Sequence, residues 1–320
     1  MEAFDFQDIM LVPKKCVLAT RADANVTAKL GKRTFKLPLI PANMPSVMND
    51  KIATELAQKG YFYVMHRFDI DIVAFAGRMH EDGIYISISI GVRDEFYDVI
   101  NDLKEINIIP DYITIDLAHG HTNAMRDMLA HIRSTLGNDV FVIAGNVATP
   151  EAVRDLESWG ADATKIGIGP GYVCSTSIRT GFGTRNWQLS AIQACAKAAK
   201  KVVIADGGLR TSGDIVKAIH MGADWVMSGY FVAGCTQAPG ETQMNNGVMM
   251  KRYYGNASSM NKQSNHRVEG TSVIVPCQGS IFDKLTEIEQ DLQSAVSFAG
   301  GTRLTDVRDV EHVFVRRSCE

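Results

Sequence analysis

Residues 201–231, KVVIADGGLRTSGDIVKAIHMGADWVMSGYF, contain the unit that decides the fold. A short run rich in Val and Ile ends in the glycine pair Gly207 and Gly208. A helical-looking stretch follows, and a second apolar run ends in Ser228 and Gly229. Strand, helix and strand in that order give parallel pairing, with the helix crossing over one face of the sheet.

The same unit recurs towards the N-terminus. Apolar runs occupy residues 37–44 (LPLIPANM), 61–67 (YFYVMHR), 84–91 (IYISISIG), 111–120 (DYITIDLAHG), 140–147 (VFVIAGNV) and 163–170 (ATKIGIGP). With the two runs above there are eight expected strands. The intervening stretches NDKIATELAQKG, TNAMRDMLAHIRSTLG and TPEAVRDLESWGA carry apolar residues at helical spacing. They open on the capping residues Asn49, Thr122 and Thr149. Eight strand–helix units predict an α/β fold, a (β/α)8 TIM barrel, as one catalytic domain over residues 1–320. A doubly wound open sheet is the competitor, but it has fewer strands and one Gly-rich crossing near its start. Here polar, Gly-rich turns end many of the runs, and in a barrel those ends converge on one face.

Two regions break the rhythm. Residues 171–186, GYVCSTSIRTGFGTRN, form a Gly/Ser/Thr-rich excursion after the sixth run. Residues 234–279 follow the eighth and read as irregular or as a small hairpin. Long loops of this kind in compact domains are commonly functional. The stretch FDKLTEIEQDLQSAVSFAGG is expected to close the barrel.

The 320 residues are 46% hydrophobic and carry a net charge of −3, which argues against a bulk nucleic-acid binder. No apolar run approaches the ~20 residues that span a bilayer. The start, MEAFDFQDIM, is acidic and lacks an apolar signal region. The cysteines are scattered, without metal-ligand spacing, so a reducing cytoplasm is the expected setting.

Three positions attract chemical attention. Cys174 lies in GIGPGYVCSTS (167–177), just after an expected strand, among glycines whose amides and carbonyls can approach a ligand. It reads either as a nucleophilic thiol or as an incidental residue of a tight turn. The turns at Gly207–Gly208 and Ser228–Gly229 fall where barrels often hold phosphate, and Asp206 suits a ribose diol. Glu269, in HRVEGTS, is a further acid, although a loop Glu alone is usually just solvated. Spacing does not place it near Cys174.

GIGPGYVCSTS, ADGG followed by SGDIVKAI, GADWVMSGYF, VEG, the N-terminal FDFQDIMLVPKK and PANM together resemble the IMP dehydrogenase/GMP reductase family. The resemblance runs over nearly the whole chain, with its motifs in the expected order. It implies a TIM barrel with a catalytic cysteine after strand six. MHRFDIDIVAFAGRMHEDG runs straight into IYISISIG, leaving no room for the paired nucleotide-sensing modules usual in the dehydrogenases. The stretch from Tyr254 to Glu269 is short and lacks the Arg-Tyr pair with which they activate water. MHRFD, IDLAHGHT and QDLQSAVSFAGG resemble the bacterial reductase branch. The implied reaction is GMP plus NADPH to IMP, ammonia and NADP, through a thioimidate on Cys174. Thr176 and Glu269 would supply the acid, and Glu269 would also contact N1 of the base.

By the same resemblance, Asp206 would hold the ribose, and Gly207, Gly208, Ser228 and Gly229 the phosphate. Arg267 and Gly270 would lie beside the substrate. Arg67, Asp116 and His119 would line the nicotinamide side, and Arg21 would reach a neighbouring subunit's dinucleotide in a homotetramer. Carbonyls of Gly169, Gly171 and Cys174 resemble a site for a monovalent cation such as K+. The chain departs from the family at Tyr172, where many members have a phosphate-binding serine, and at YYGNASS, where YGMSS is commoner. Arg267 stands one position away from the arginine of the animal enzymes. An insertion-free IMP dehydrogenase and a catalytically dead nucleotide-binding barrel are the competing functions. The set Cys174, Thr176 and Glu269 argues against the second.

Overall fold

The computed structural model of the protein describes residues 3–258 and 268–315. Seven strands form one parallel sheet in the order Leu39–Pro41, Trp225–Ser228, Val202–Asp206, Ala163–Ile166, Phe141–Val147, Tyr112–Asp116 and Ser87–Ile90. The first of these strands in sequence pairs with the last, Val226 opposite Leu39. The sheet is therefore curled as in a barrel, and helices flank it.

The expected strand at 61–67 is present as buried chain but not as a regular strand. Met65 alone bridges to Ile88, and its amide donates to Ser87 O at 3.1 Å. Hydroxyl groups take the partners that a ladder would use. Ser87 N donates to Tyr63 Oη at 3.2 Å, Tyr63 Oη to Tyr85 O at 2.8 Å, Tyr85 Oη to Tyr61 O at 2.7 Å, and Ser89 Oγ to Met65 O at 2.7 Å. Buried backbone groups must find a partner, and side chains supply them here.

The three expected caps hold. Asn49, Thr122 and Thr149 accept from the amides of Ile52, Met125 and Ala152 at 3.0, 3.2 and 3.3 Å. The helix Asn123–Leu136 buries Met125, Met128, Leu129, Ile132 and Leu136 along one stripe.

A hairpin, Ala28–Leu30 with Arg33–Phe35, covers the N-terminal end of the barrel. Tyr112 Oη and Trp225 Nε1 donate to its Leu30 and Lys29 carbonyls at 2.8 and 3.1 Å. Its Phe35 ring lies 5.1 Å from Phe62, 5.5 Å from Tyr85 and 5.8 Å from Trp225, all steeply inclined to it. Such edge-to-face contacts are each worth about 0.5–1.5 kcal/mol beyond burial. With that end plugged, the C-terminal strand ends remain for chemistry.

Residues 234–279 are more ordered than a small hairpin. Thr242–Asn245, Val248–Tyr254 and Ser272–Pro276 form a three-stranded antiparallel sheet. Ile9–Leu11 pairs antiparallel with His312–Phe314, which no sequence pattern announced. Among the described residues no helix is long and apolar enough to cross a membrane.

The N-terminal segment is tied down where Phe4 N donates to Ser190 Oγ at 2.6 Å. Burial, together with nearby Asp8 and Asp214, pushes the Asp5 carboxyl up to about 6. A raised carboxyl pKa favours folding at low pH, and that contribution is lost as pH rises through 6. Asp5→Asn keeps an oxygen for the Phe6 amide, which donates to Asp5 Oδ1. The variant is expected to melt about 2–6 °C higher at pH 8 and unchanged near pH 4, as read by thermal denaturation.

Candidate functional site

The strand Ala163–Ile166 runs into Gly167, whose φ is +144°. A Cβ there would lie 2.1 Å from Asp206 O, so glycine alone lets the two strand ends part. The loop turns again at Gly169, with φ +73°, and Cys174 N donates to Gly171 O at 3.1 Å. From the other side, Ser175 N donates to Glu269 O and Thr271 N to Val173 O, both at 2.8 Å. These two backbone bonds fix Glu269 beside a cysteine 95 residues earlier in the chain.

Thr176 Oγ1 donates to Glu269 Oε2 at 2.8 Å, and Cys174 Sγ lies 3.2 Å from Thr176 Oγ1. With the threonine proton on the carboxylate, the threonine oxygen is free to accept from the thiol, whose other acceptor is Glu269 O at 3.7 Å. The result is a path for a proton from sulfur through a hydroxyl to a carboxylate.

Beneath lies a charged floor, in which Asp116 and Asp206 were expected from the sequence and Lys165 was not. Lys165 Nζ donates to Asp116 Oδ1 at 2.6 Å and to Asp206 Oδ2 at 3.0 Å, and its side chain is only 1% exposed. Asn146 Nδ2 donates to Asp206 Oδ2 at 2.8 Å and to Gly167 O at 2.6 Å, and Asn43 Nδ2 to Asp116 Oδ2 at 3.3 Å. Gly145 makes room for the lysine, since a Cβ there would meet Lys165 Cβ at 2.6 Å. Burial would push the Asp116 carboxyl up. Lys165, with help from Arg67 and Asn43, overrides it and holds the group below the usual carboxylate range. Burial likewise opposes the Lys165 charge, but the two aspartates keep it firmly protonated. The readable signal for Lys165 was a single lysine inside the apolar run ATKIGIG.

These groups open on one cavity of about 760 Å³. Of the expected residues, Cys174, Thr176, Glu269, Asp206, Gly207, Ser228, Gly229 and Gly270 line it, with Asp116, Arg67, Gly169 and Gly171. Gly208 does not; it packs behind, where a Cβ would touch Phe6 at 3.3 Å. His119 is exposed and lies off the cavity wall. Arg21 sits elsewhere, its guanidinium 5.5 Å over the Phe298 ring and 3.4 Å from Ser294 Oγ. Arg267 falls outside the described residues.

At one end of the cavity the Arg67 guanidinium lies 4.5 Å from the Phe68 ring and 5.6 Å from the Phe96 ring. Its Nη2 donates to Asp116 O at 3.2 Å, and its buried Nε has no partner among the described residues. Tyr172 stacks on the cavity-lining Tyr253 at 6.5 Å, with the Arg210 guanidinium 4.7 Å over its own ring.

A parallel barrel that gathers a thiol, a hydroxyl, a carboxylate and a buried ammonium at its C-terminal strand ends belongs to the barrel enzymes. Residues 3–320 match the family described as IMP dehydrogenase / GMP reductase domain, and the chain belongs to that family. Both reactions in the family's name are oxidoreductions, and the chain is an oxidoreductase. It is 51% identical to a GMP reductase of Mesoplasma florum, over 99% of each chain. It is 52% identical to those of Latilactobacillus sakei, over 99% of this chain and 98% of the relative, and of Bacillus subtilis, over 98% and 97%.

Proposed function

We propose that the chain reduces GMP to IMP, releasing ammonia, with NADPH as the hydride donor. The hydrogen-bonded series Cys174, Thr176, Glu269 at the cavity wall carries this reading. The Cys174 sulfur adds to C2 of the purine, and its proton passes through Thr176 to Glu269. The same carboxyl returns a proton to the 2-amino group, which leaves as ammonia, and a Cys174 thioimidate remains. NADPH supplies the hydride that C2 accepts. The C–S bond then breaks towards sulfur, giving IMP and restoring Cys174. In balance, GMP, NADPH and two protons give IMP, ammonium and NADP.

Asp206 would take the ribose diol, and the turns at Gly207 and Ser228–Gly229 the phosphate. Glu269 would face N1 of the base. Arg67 is the best-fitted cofactor group. It lines the cavity, carries a buried Nε without a partner among the described residues and lies against two rings. His119 and Arg21 would need to meet the dinucleotide at the cavity rim and from a neighbouring subunit of a homotetramer. A monovalent cation such as K+ would sit on the carbonyls of Gly169, Gly171 and Cys174, which share one turn. The five described cysteines are all free, in keeping with a reducing cytoplasm. Converting GMP to IMP there would serve purine nucleotide salvage.

Mixing the protein with GMP and NADPH is expected to give loss of 340 nm absorbance with matching ammonia release. No GMP-dependent loss of NADPH overturns the reading, and NADH formation from IMP and NAD would assign the dehydrogenase instead.

A further inference from the structure

We propose that Lys165 is a positioning residue that couples the nucleotide end of the cavity to its dinucleotide end, an inference that rests on the function proposed above. The ammonium bridges carboxylates from two different strand ends, at 2.6 Å to Asp116 and 3.0 Å to Asp206. Both flank one cavity, and the lysine between them is 1% exposed. The lysine side chain is nearly closed off from solvent, so each bond of the ammonium feels the other.

The surroundings divide the two carboxylates by task. The bonds from Lys165 and Asn146 both fall on Asp206 Oδ2, which leaves Oδ1 as the oxygen to meet a ligand hydroxyl. Asp116 is held from three directions, with Lys165 on Oδ1, Asn43 on Oδ2 and Arg67 on its backbone carbonyl. Arg67 in turn lines the cavity beside Phe68 and Phe96. The structure thus contains one continuous path, Asp206, Lys165, Asp116, Arg67, that joins cavity-lining groups.

A ribose diol donating to Asp206 shares the negative charge that Lys165 otherwise holds. The ammonium then leans towards Asp116, which firms the carboxylate and the carbonyl that anchor Arg67. Nucleotide bound at one end therefore prepares the other end for the dinucleotide. By linkage, dinucleotide must tighten nucleotide by the same factor. A lysine serving packing alone would stabilise the fold without linking the two affinities.

The test uses the full chain carrying Cys174→Ala, which holds both ligands without turnover. NADPH is titrated by its fluorescence with and without saturating GMP, and GMP by calorimetry with and without NADPH. With Lys165 present, each ligand is expected to tighten the other about fivefold or more. Lys165→Met should bring that ratio to one, and Lys165→Arg should recover part of it. Asp116→Asn keeps the size and a hydrogen bond while removing one carboxylate from the bridge. It should also abolish the ratio while GMP alone still binds, and it decides the matter if Lys165→Met fails to fold. A ratio near one with Lys165 present, or a ratio unchanged in Lys165→Met or Asp116→Asn, overturns the coupling and leaves the function standing. Failure of the Cys174→Ala protein to bind GMP and NADPH at all removes both.

Discussion

Cys174→Ala is expected to lose at least about 10⁴-fold in kcat while binding GMP within a few-fold of the parent protein. The argument for so large and so selective a loss is geometric. The backbone bonds that shape the loop do not involve the sulfur, whose hydrogen-bond partners among the described residues are Thr176 Oγ1 at 3.2 Å and Glu269 O at 3.7 Å. The loop's turn is set by the Cys174 amide on Gly171 O, and its docking by Ser175 N on Glu269 O and Thr271 N on Val173 O. The Thr176 hydroxyl keeps its bond to Glu269 without the thiol. Alanine removes the atom proposed to attack C2 and little else, so the covalent route would close with the pocket still formed. Cys174→Ser should fare no better, because a hydroxyl at that position has no base strong enough to ionise it. NADPH oxidation measures the loss, and calorimetry with GMP measures what is kept. Appreciable turnover in the alanine variant would exclude the thioimidate.

Much of this arrangement is legible in the amino-acid sequence. The barrel follows from eight apolar runs separated by capped amphipathic stretches, a local pattern that survives without tertiary information. What escaped depends on partners distant in sequence. The run at 61–67 lost its regular ladder because the hydroxyls of Tyr63, Tyr85 and Ser89 took over its hydrogen bonds, and no periodicity encodes that. Ile9–Leu11 is too short to be read as a strand without knowing that His312–Phe314 lies beside it. Glu269 looked like any loop carboxylate until backbone pairing with residues 173–175 set it against Thr176. Lys165 stayed hidden inside a strand, since its meaning lies in two aspartates, one on the adjacent strand Val202–Asp206 and one on Tyr112–Asp116, a strand further away. Cys174, Thr176 and Glu269 were nameable from motifs, as were Asp116 and Asp206, whereas the Lys165 that joins the two aspartates was visible only in three dimensions.

Glu269→Gln should lower kcat by about 10²–10⁴-fold, the range for removing a general acid. Glutamine retains an oxygen to accept the Thr176 hydroxyl and keeps the backbone bonds at Glu269 N and O, so the wall of the cavity stays in place. What it cannot do is take the thiol proton and return it to the departing amine. Loss of ammonia then becomes the slow step, while the hydride step that follows it is untouched. NADPH deuterated at the transferring position should therefore show an isotope effect on kcat that falls to one in this variant, whatever its size in the parent. Thr176→Val cuts the same proton path at its middle. Groups acting as a unit are not additive, so the double variant Thr176→Val with Glu269→Gln should be no slower than the worse single variant. Multiplying losses would mean that the two residues serve separate steps, and a Glu269→Gln enzyme within about threefold of parent kcat would remove the carboxylate from the proton path altogether.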